Sequence, residues 1–221
     1  MSIETWQDVD TYIVDKLAPP DEDLTAAQDA AKEGGLPAIS VSAAQGKMLQ
    51  VLVQLVGARR ILEIGTLGGY SAIWMARALP ADGKLISLEI SPKHAEVAGA
   101  SLERAGVADK VEIRVGAAID SLPGLTGEGP FDLVFIDADK ASNAPYFEWA
   151  MKLSHPGTMI IVDNVVRNGG VLEEGSDNPD IVGTRRLFDA VAAEPRFNST
   201  AIQTVGAKGY DGFVIGVVDP A

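Results

Sequence analysis

The chain has no cysteine, which excludes disulfides, thiolate nucleophiles and zinc–thiolate sites. Histidine is scarce, two among 221 residues. His94 falls in the first turn of an expected surface helix and His155 in a Ser-His-Pro-Gly turn, and both read as ordinary surface residues. Positive charge is also short: 18 Lys and Arg stand against 31 Asp and Glu, a formal net charge of −13. A field of that sign opposes general binding to phosphate backbones, which depends on paired cations. Aromatic residues make up 6% of the chain. Trp6, Trp74 and Trp149 fall on separate expected helices, which suits core or interface packing. The longest apolar runs, such as Met159–Val162 and Phe213–Val218, are far too short to cross a bilayer. The opening MSIETWQDVD carries acids where a secretory signal needs bases and an apolar run. The expectation is a cytoplasmic protein with no membrane partner.

What is present is a hydrophobic content of 47%, enough for the core of one domain spanning 1–221. Residues 1–40 are expected to form an N-terminal helical attachment contributing to a ligand site or to dimer contacts, with helices at Ile3–Leu17 and Leu24–Glu33. Ser42 and Gln45 then match a capping box opening a helix that runs to Val56. From there strands and helices alternate. Arg60–Ile64, Lys84–Glu89, Val111–Val115, Phe131–Ile136 and Thr158–Val162 are short apolar runs. Between them lie helical stretches at Tyr70–Leu79, Pro92–Ala105, Ala117–Leu122 and Pro145–Leu153. That rhythm predicts an α/β fold, a Rossmann-like doubly wound and mostly parallel sheet covered on both faces. Afterwards the rhythm changes: Arg167–Pro179 is expected to be an exposed loop and Ile181–Ala193 a helix. Ser199–Val205 and Phe213–Val218, joined by the turn-rich Gly206–Gly212, suggest an antiparallel hairpin.

Two groups of residues carry chemistry. Ile61-Leu-Glu-Ile-Gly65-Thr-Leu-Gly68-Gly69-Tyr70-Ser71 is a buried strand, a glycine turn and a helix start, an arrangement that lets backbone approach a ligand. The order G-x-x-G-G differs from the dinucleotide pattern G-x-G-x-x-G, which counts against an NAD-dependent oxidoreductase. Glu63 before the turn would repel a pyrophosphate but suits a ligand carrying positive charge. Glu89 closes the second strand, where an acid accepts ribose hydroxyls in doubly wound sheets, and Ala117 and Ala118 leave room for a flat adenine. The second group is Asp137-Ala138-Asp139-Lys140 after one strand and Asp163-Asn164 after its expected neighbour. A lone Asp after a strand is commonly a cap. Two beside an Asn on one sheet edge instead suit a hard divalent cation, Mg²⁺ first, with Mn²⁺ or Ca²⁺ as alternatives. Arg185 and Arg186 read as a solvated helix face.

The runs LEIGTLGGYSAIWMA, LEISP, FIDADK and VDNVVRNGG, in that order, closely resemble the cation-dependent O-methyltransferases, which include caffeoyl-CoA and catechol O-methyltransferases and bacterial relatives. The likeness extends from about Ile39 to Val218. It implies a seven-stranded sheet with an antiparallel last strand and S-adenosylmethionine (SAM) as methyl donor. By that resemblance the cofactor contacts fall on Val41, Glu63, Gly65, Thr66, Gly69, Ser71, Glu89, Ile90, Ala117, Ala118 and Asp137. The metal ligands fall on Asp137, Asp163 and Asn164, and the general base on Lys140. A competing role for Lys140 is a structural cation holding the aspartates. The resemblance further implies a homodimer and a small hydroxylated, catechol-like acceptor shaped by Ile3–Ile39 and Val165–Pro179. Methylation of a hydroxyuridine in tRNA is the alternative activity, opposed by the −13 charge. A non-catalytic nucleoside-binding protein is a further alternative, opposed by the complete metal set and Lys140.

Overall fold

The computed structural model describes residues 2–19 and 21–220. Three helices come first: α1 (Ile3–Leu17), α2 (Glu22–Glu33) and α3 (Ala43–Leu55). Then follow β1 (Arg60–Ile64), α4 (Tyr70–Ala78), β2 (Lys84–Glu89), α5 (Pro92–Arg104), β3 (Val111–Val115), α6 (Ala118–Ser121), β4 (Phe131–Ile136), α7 (Asn143–Lys152), β5 (Ser154–Asp163), α8 (Pro179–Ala193), β6 (Phe197–Gly206) and β7 (Gly209–Val218).

Seven strands form one sheet in the order β3-β2-β1-β4-β5-β7-β6. The first five run parallel, and β7 runs antiparallel to both β5 and β6. The order reverses between β1 and β4, the switch point at which open sheets of this kind bind ligands. Side chains of a strand alternate between faces, and the core divides accordingly. Leu62, Val134 and Ile160 pack into one buried cluster with Phe147 and Leu187, while Ile61, Phe135 and Ile161 pack into another with Leu49 and Ile73. Among the described residues no helix is long and apolar enough to cross a membrane.

Several boundaries differ from the sequence expectation for identifiable reasons. Helix α2 starts at Glu22 because Asp21 caps it, accepting from the N–H groups of Asp23 and Leu24 at 3.0 and 3.2 Å. Helix α7 starts at Asn143 and places Pro145 inside its first turn, where a missing N–H costs no helical hydrogen bond. The expected helix Ala117–Leu122 shrinks to α6, and a 3₁₀ turn at Leu122–Leu125 follows, with proline at position 123. Arg167–Pro179 is not wholly irregular, since Arg167–Leu172 forms 3₁₀ turns. The terminal hairpin is longer than expected: Gly206 pairs with Gly209, leaving only Ala207 and Lys208 in the turn. In the capping box, Ser42 Oγ accepts from Gln45 N at 3.2 Å, but the Gln45 side chain points to a cavity at the end of β5.

Candidate active site

Strand register builds the site. Ile64 lies level with Leu88 on one side and Ile136 on the other, and Ile136 lies level with Val162. The residues that follow therefore leave the sheet at one edge, and hydrogen bonds tie them across strands. Gly65 N donates to Leu88 O at 2.8 Å, Asp137 N to Ile64 O at 2.9 Å, and Gly116 N to Glu89 O at 2.9 Å. Gly65 sits at φ 93°, and a Cβ there would run into the Asp137 carbonyl oxygen. Only glycine fits.

A cavity of about 580 Å³ opens over this edge. Of the eleven expected cofactor contacts, Val41, Gly65, Thr66, Ser71, Glu89, Ile90, Ala117, Ala118 and Asp137 line it. Glu63 and Gly69 are not part of its wall. Gly69 caps α4 at φ 84° and abuts Ala98, so its place is in the turn. Glu63 is fully buried behind the wall and accepts from Ser71 Oγ at 2.5 Å and Ser87 Oγ at 2.6 Å. Burial pushes its carboxyl up to about 7, against the pull of these hydroxyls. Glu89 is the hub: one oxygen accepts from Leu67 N at 2.9 Å and Thr66 N at 3.3 Å, the other from Ser91 N at 2.9 Å. His94, expected on an ordinary surface, instead lines the cavity with Nδ1 3.3 Å from Glu89. A histidine three residues after the serine cap was the available signal.

The β4–β5 side is crowded with acid. Lys140 is buried and its Nζ donates to Asp137 Oδ1 at 2.7 Å. Asp163 is 5% exposed; burial first, and then the Asp137 charge, raise its pKa to about 7, while the Gln45 amide and Lys140 oppose the shift. Asp139 turns away from its neighbours and accepts from Tyr146 Oη at 2.7 Å. Burial and that carboxylate both push the phenol up. Asn164, Arg167 and Asn168 all adopt φ of 55–59°, an uncommon state for residues with side chains. The turn is held by Asp211 on β7, whose Oδ1 accepts from Val166 N at 2.9 Å and Arg167 N at 3.0 Å. Gly183 on α8 packs so closely on Lys140 and Ala141 that a Cβ would overlap their backbone.

Asp137, Asp163 and Asn164 thus converge from neighbouring strand ends. Among the described residues no three His, Cys, Asp or Glu side chains form a metal-holding group; the candidate set is two carboxylates and an amide. Its chemistry nevertheless fits a hard cation. All donors are oxygen, and a buried acid whose pKa is raised by a like-charged neighbour is one that a cation would return to its charged form. Beyond Asp163 lies a second cavity of about 250 Å³ between α1, α3 and the β6–β7 hairpin. The two cavities share one lining residue, Asn164.

Sequence reasoning did not single out Tyr146, Asp180, Asp211 or Gly183 for this edge. Gly183 left a trace as a glycine inside a helical pattern, while Asp211 left none.

A family model described as O-methyltransferase matches residues 21–212. A catechol O-methyltransferase of Niastella koreensis is 51% identical over 220 residues, covering 99% of this chain and 100% of that protein. Among solved structures, an O-methyltransferase from Bacillus cereus in complex with SAH superposes with a TM-score of 0.97 at 54% identity, covering 99% of this chain and 100% of its own. The O-methyltransferase TomG from Streptomyces achromogenes, involved in tomaymycin synthesis and solved in complex with SAM, gives 0.96 at 48% identity with complete coverage of both chains.

Proposed function

The chain belongs to the O-methyltransferase family and is a SAM-dependent O-methyltransferase, and from that premise we propose that it methylates one hydroxyl of a small vicinal diol with the help of a divalent cation. The observation that carries this reading is the seam at Asn164. Asn164 lines both the cavity that holds most of the expected cofactor contacts and the second cavity, with Asp137 lining the first and Asp163 the second.

When bound, SAM supplies an electrophilic methyl group. Glu89 is placed to accept ribose hydroxyls while fixing the glycine turn, and Ala117 and Ala118 leave a flat place for the adenine. Thr66 and Ser71, which line the cavity, would hold the methionine portion, with Glu63 acting through Ser71. Val41, Ile90 and Gly65 complete that wall, and Gly69 sets the turn behind it. Asp137, Asp163 and Asn164 would hold the cation, Mg²⁺ before Mn²⁺ or Ca²⁺, which when bound lowers the pKa of a hydroxyl coordinated to it. The chain's own part would be positioning: the ends of β4 and β5 would orient the acceptor oxygen toward the methyl group, and such orientation supplies much of the rate. Lys140, which lines the first cavity, would take the acceptor's proton with its amine in the neutral form, since an ammonium has no lone pair to accept one.

A second reading of Lys140 is favoured by its 2.7 Å contact with Asp137: it remains an ammonium and holds that carboxylate. Lys140→Ala separates the two. A base role lowers turnover with unchanged affinities for SAH and Mn²⁺; a scaffold role lowers those affinities in step with turnover.

We read the chain as one domain whose N-terminal helical segment, 1–40, contributes to the acceptor site or to dimer contacts. A small acceptor is preferred over nucleic acid because of the −13 charge, and a cytoplasmic site of action accords with the same reading. Exposed Val9, Tyr12, Ile13 and Leu17 on α1 and Val51 and Leu55 on α3 support a homodimer, since apolar side chains on neighbouring helices make a ready interface. The decisive experiment is methyl transfer from SAM to a panel of vicinal diols and to tRNA. Turnover of a diol that stops with EDTA and returns with Mg²⁺ supports the proposal. Full activity in exhaustive chelator, or turnover of tRNA alone, refutes it.

A further inference from the structure

We infer that His94 is a further cofactor-binding residue, whose imidazole and the Glu89 carboxylate together grip one ribose hydroxyl: the carboxylate accepts from the hydroxyl and the ring donates to its oxygen. The inference rests on the ribose assignment of Glu89 above and deepens it.

The acceptor capacity of Glu89 leads to it. An ionised carboxylate has about four lone-pair sites. Two on Oε2 are taken by the N–H groups of Thr66 and Leu67, and one on Oε1 by that of Ser91. One site therefore stays open, on Oε1. His94 Nδ1 lies 3.3 Å from that same oxygen, longer than the about 2.7–3.2 Å of an ordinary N–H···O bond. The pair is close but loosely joined, and a hydroxyl reaching the open site meets both groups. A hydroxyl donates one hydrogen and accepts at its oxygen, so a single ribose hydroxyl satisfies carboxylate and ring at once. Among the described residues no lysine or arginine pairs with Glu89, which leaves the ring as the side-chain N–H placed to share that hydroxyl. A ring that served only to hold Glu89 would be redundant, because three backbone donors already fix the carboxylate.

Local structure sets the two groups side by side. Glu89 closes β2, and Ser91 caps α5 with Pro92 in the first helical position. Ser91 N donates to Glu89 Oε1 at 2.9 Å, and Ser91 Oγ accepts from His94 N at 3.3 Å. The chain thus turns back on itself, and the imidazole comes up against the carboxylate that precedes the turn. Further along α5, Ala98 abuts Gly69, so the helix and the glycine turn brace each other. Both side chains line the larger cavity. That of Glu89 is 6% exposed and that of His94 25%, so the ring is the half of the pair that an entering ligand reaches more readily.

The test is calorimetry of the full-length enzyme with SAH, 2′-deoxy-SAH and 3′-deoxy-SAH, in EDTA so that the cation side does not contribute. His94→Phe keeps a ring and removes its N–H, and it should weaken SAH binding by about 3–10-fold, the scale of one hydrogen bond. The same substitution should change the affinity for one of the two deoxy analogues by less than about twofold, because the hydroxyl that the ring served is already gone. His94→Asn, whose amide N–H can stand where Nδ1 does, should recover most of the loss. A crystal grown with SAH should place the imidazole within hydrogen-bond distance of a ribose hydroxyl. The inference is overturned if His94→Phe binds SAH as wild type does. It is equally overturned if that variant weakens SAH and both analogues by the same factor, which is what lost packing would do. Glu89→Ala that leaves SAH affinity unchanged overturns the ribose assignment and this inference with it, a result distinct from insensitivity to His94→Phe.

Discussion

The two halves of the candidate site are built on opposite electrostatic plans. On the β1–β2 side each buried acid already has partners: Glu89 accepts from three backbone N–H groups and Glu63 from two hydroxyls. On the β4–β5 side Asp137 and Asp163 stand together beside the buried Lys140, and the Asp137 charge adds to burial in raising Asp163 to about 7, the level to which burial also raises Glu63. One half is finished before any ligand arrives. The other sets two neighbouring carboxylates against a single lysine. A nucleoside needs a fixed cradle, while a cation needs acids that have not been satisfied in advance.

The sharpest way to break this contrast is Asp163→Ala. Turnover should fall by on the order of 10³-fold, the scale of losing a main source of charge stabilisation, while SAH affinity by calorimetry stays near wild type. A parallel loss of SAH affinity would show that the halves are not separable. Glu89→Ala is the converse. SAH binding should weaken by about 1–3 kcal/mol, as when a buried partner is removed and its donors are left unpaired, with Mn²⁺ affinity, read by paramagnetic resonance, preserved. Asp211 sharpens the comparison further, because it holds the left-handed turn that carries Asn164. Asp211→Ala should lower Mn²⁺ affinity several-fold and reduce Tm, and Asp211→Asn, which keeps an accepting oxygen, should restore most of both. Equal effects of the two variants would mean that charge, rather than backbone anchoring, is the role of Asp211.

The smallest effect is expected at the opposite edge of the sheet. His155 Nε2 lies 2.9 Å from Asp132; this carboxylate raises the imidazole pKa, and Asp132 itself is lowered by the Arg59 and Arg60 N–H groups and by His155. A raised histidine contributes stability that is full below its ordinary 6.5 and is lost as pH rises through the folded value above it. A lowered aspartate contributes stability present above its ordinary 3.8 and lost as pH falls through the folded value beneath it. The Tm difference between wild type and His155→Gln should therefore be greatest between those two pH values and shrink above 6.5. The pair is partly exposed, so the effect should be modest, and turnover should not change. A difference that grows above neutral pH would contradict the pairing.

The sequence by itself determined the architecture and much of the wall of the larger cavity. Alternating short apolar runs and helical stretches are buried together as a sheet covered on both faces, and parallel pairing of β1–β5 then places the carboxyl ends of those five strands on one edge. Gly65, Glu89, Ala117, Ala118, Asp137 and Asp163 were legible because each follows or closes a strand. Even the helix starts at Ser42 and Ser91 could be read, since a cap and its helix are local. Tertiary structure alone decided what depends on partners far apart in the chain. Asp211 reaches Val166 and Arg167 from more than forty residues away, and no local pattern marks it. Glu63 read as a ligand contact, yet its neighbours Ser71 and Ser87 turn it into a buried anchor. His94 looked solvated until Glu89 came up beside it. The second cavity is lined by segments far apart in the chain, and Asp10 of α1 accepts from Ala207 N across 197 positions at its rim. Local chemistry fixes strands, caps and turns, but the enclosure of space by distant segments emerges only when the chain folds.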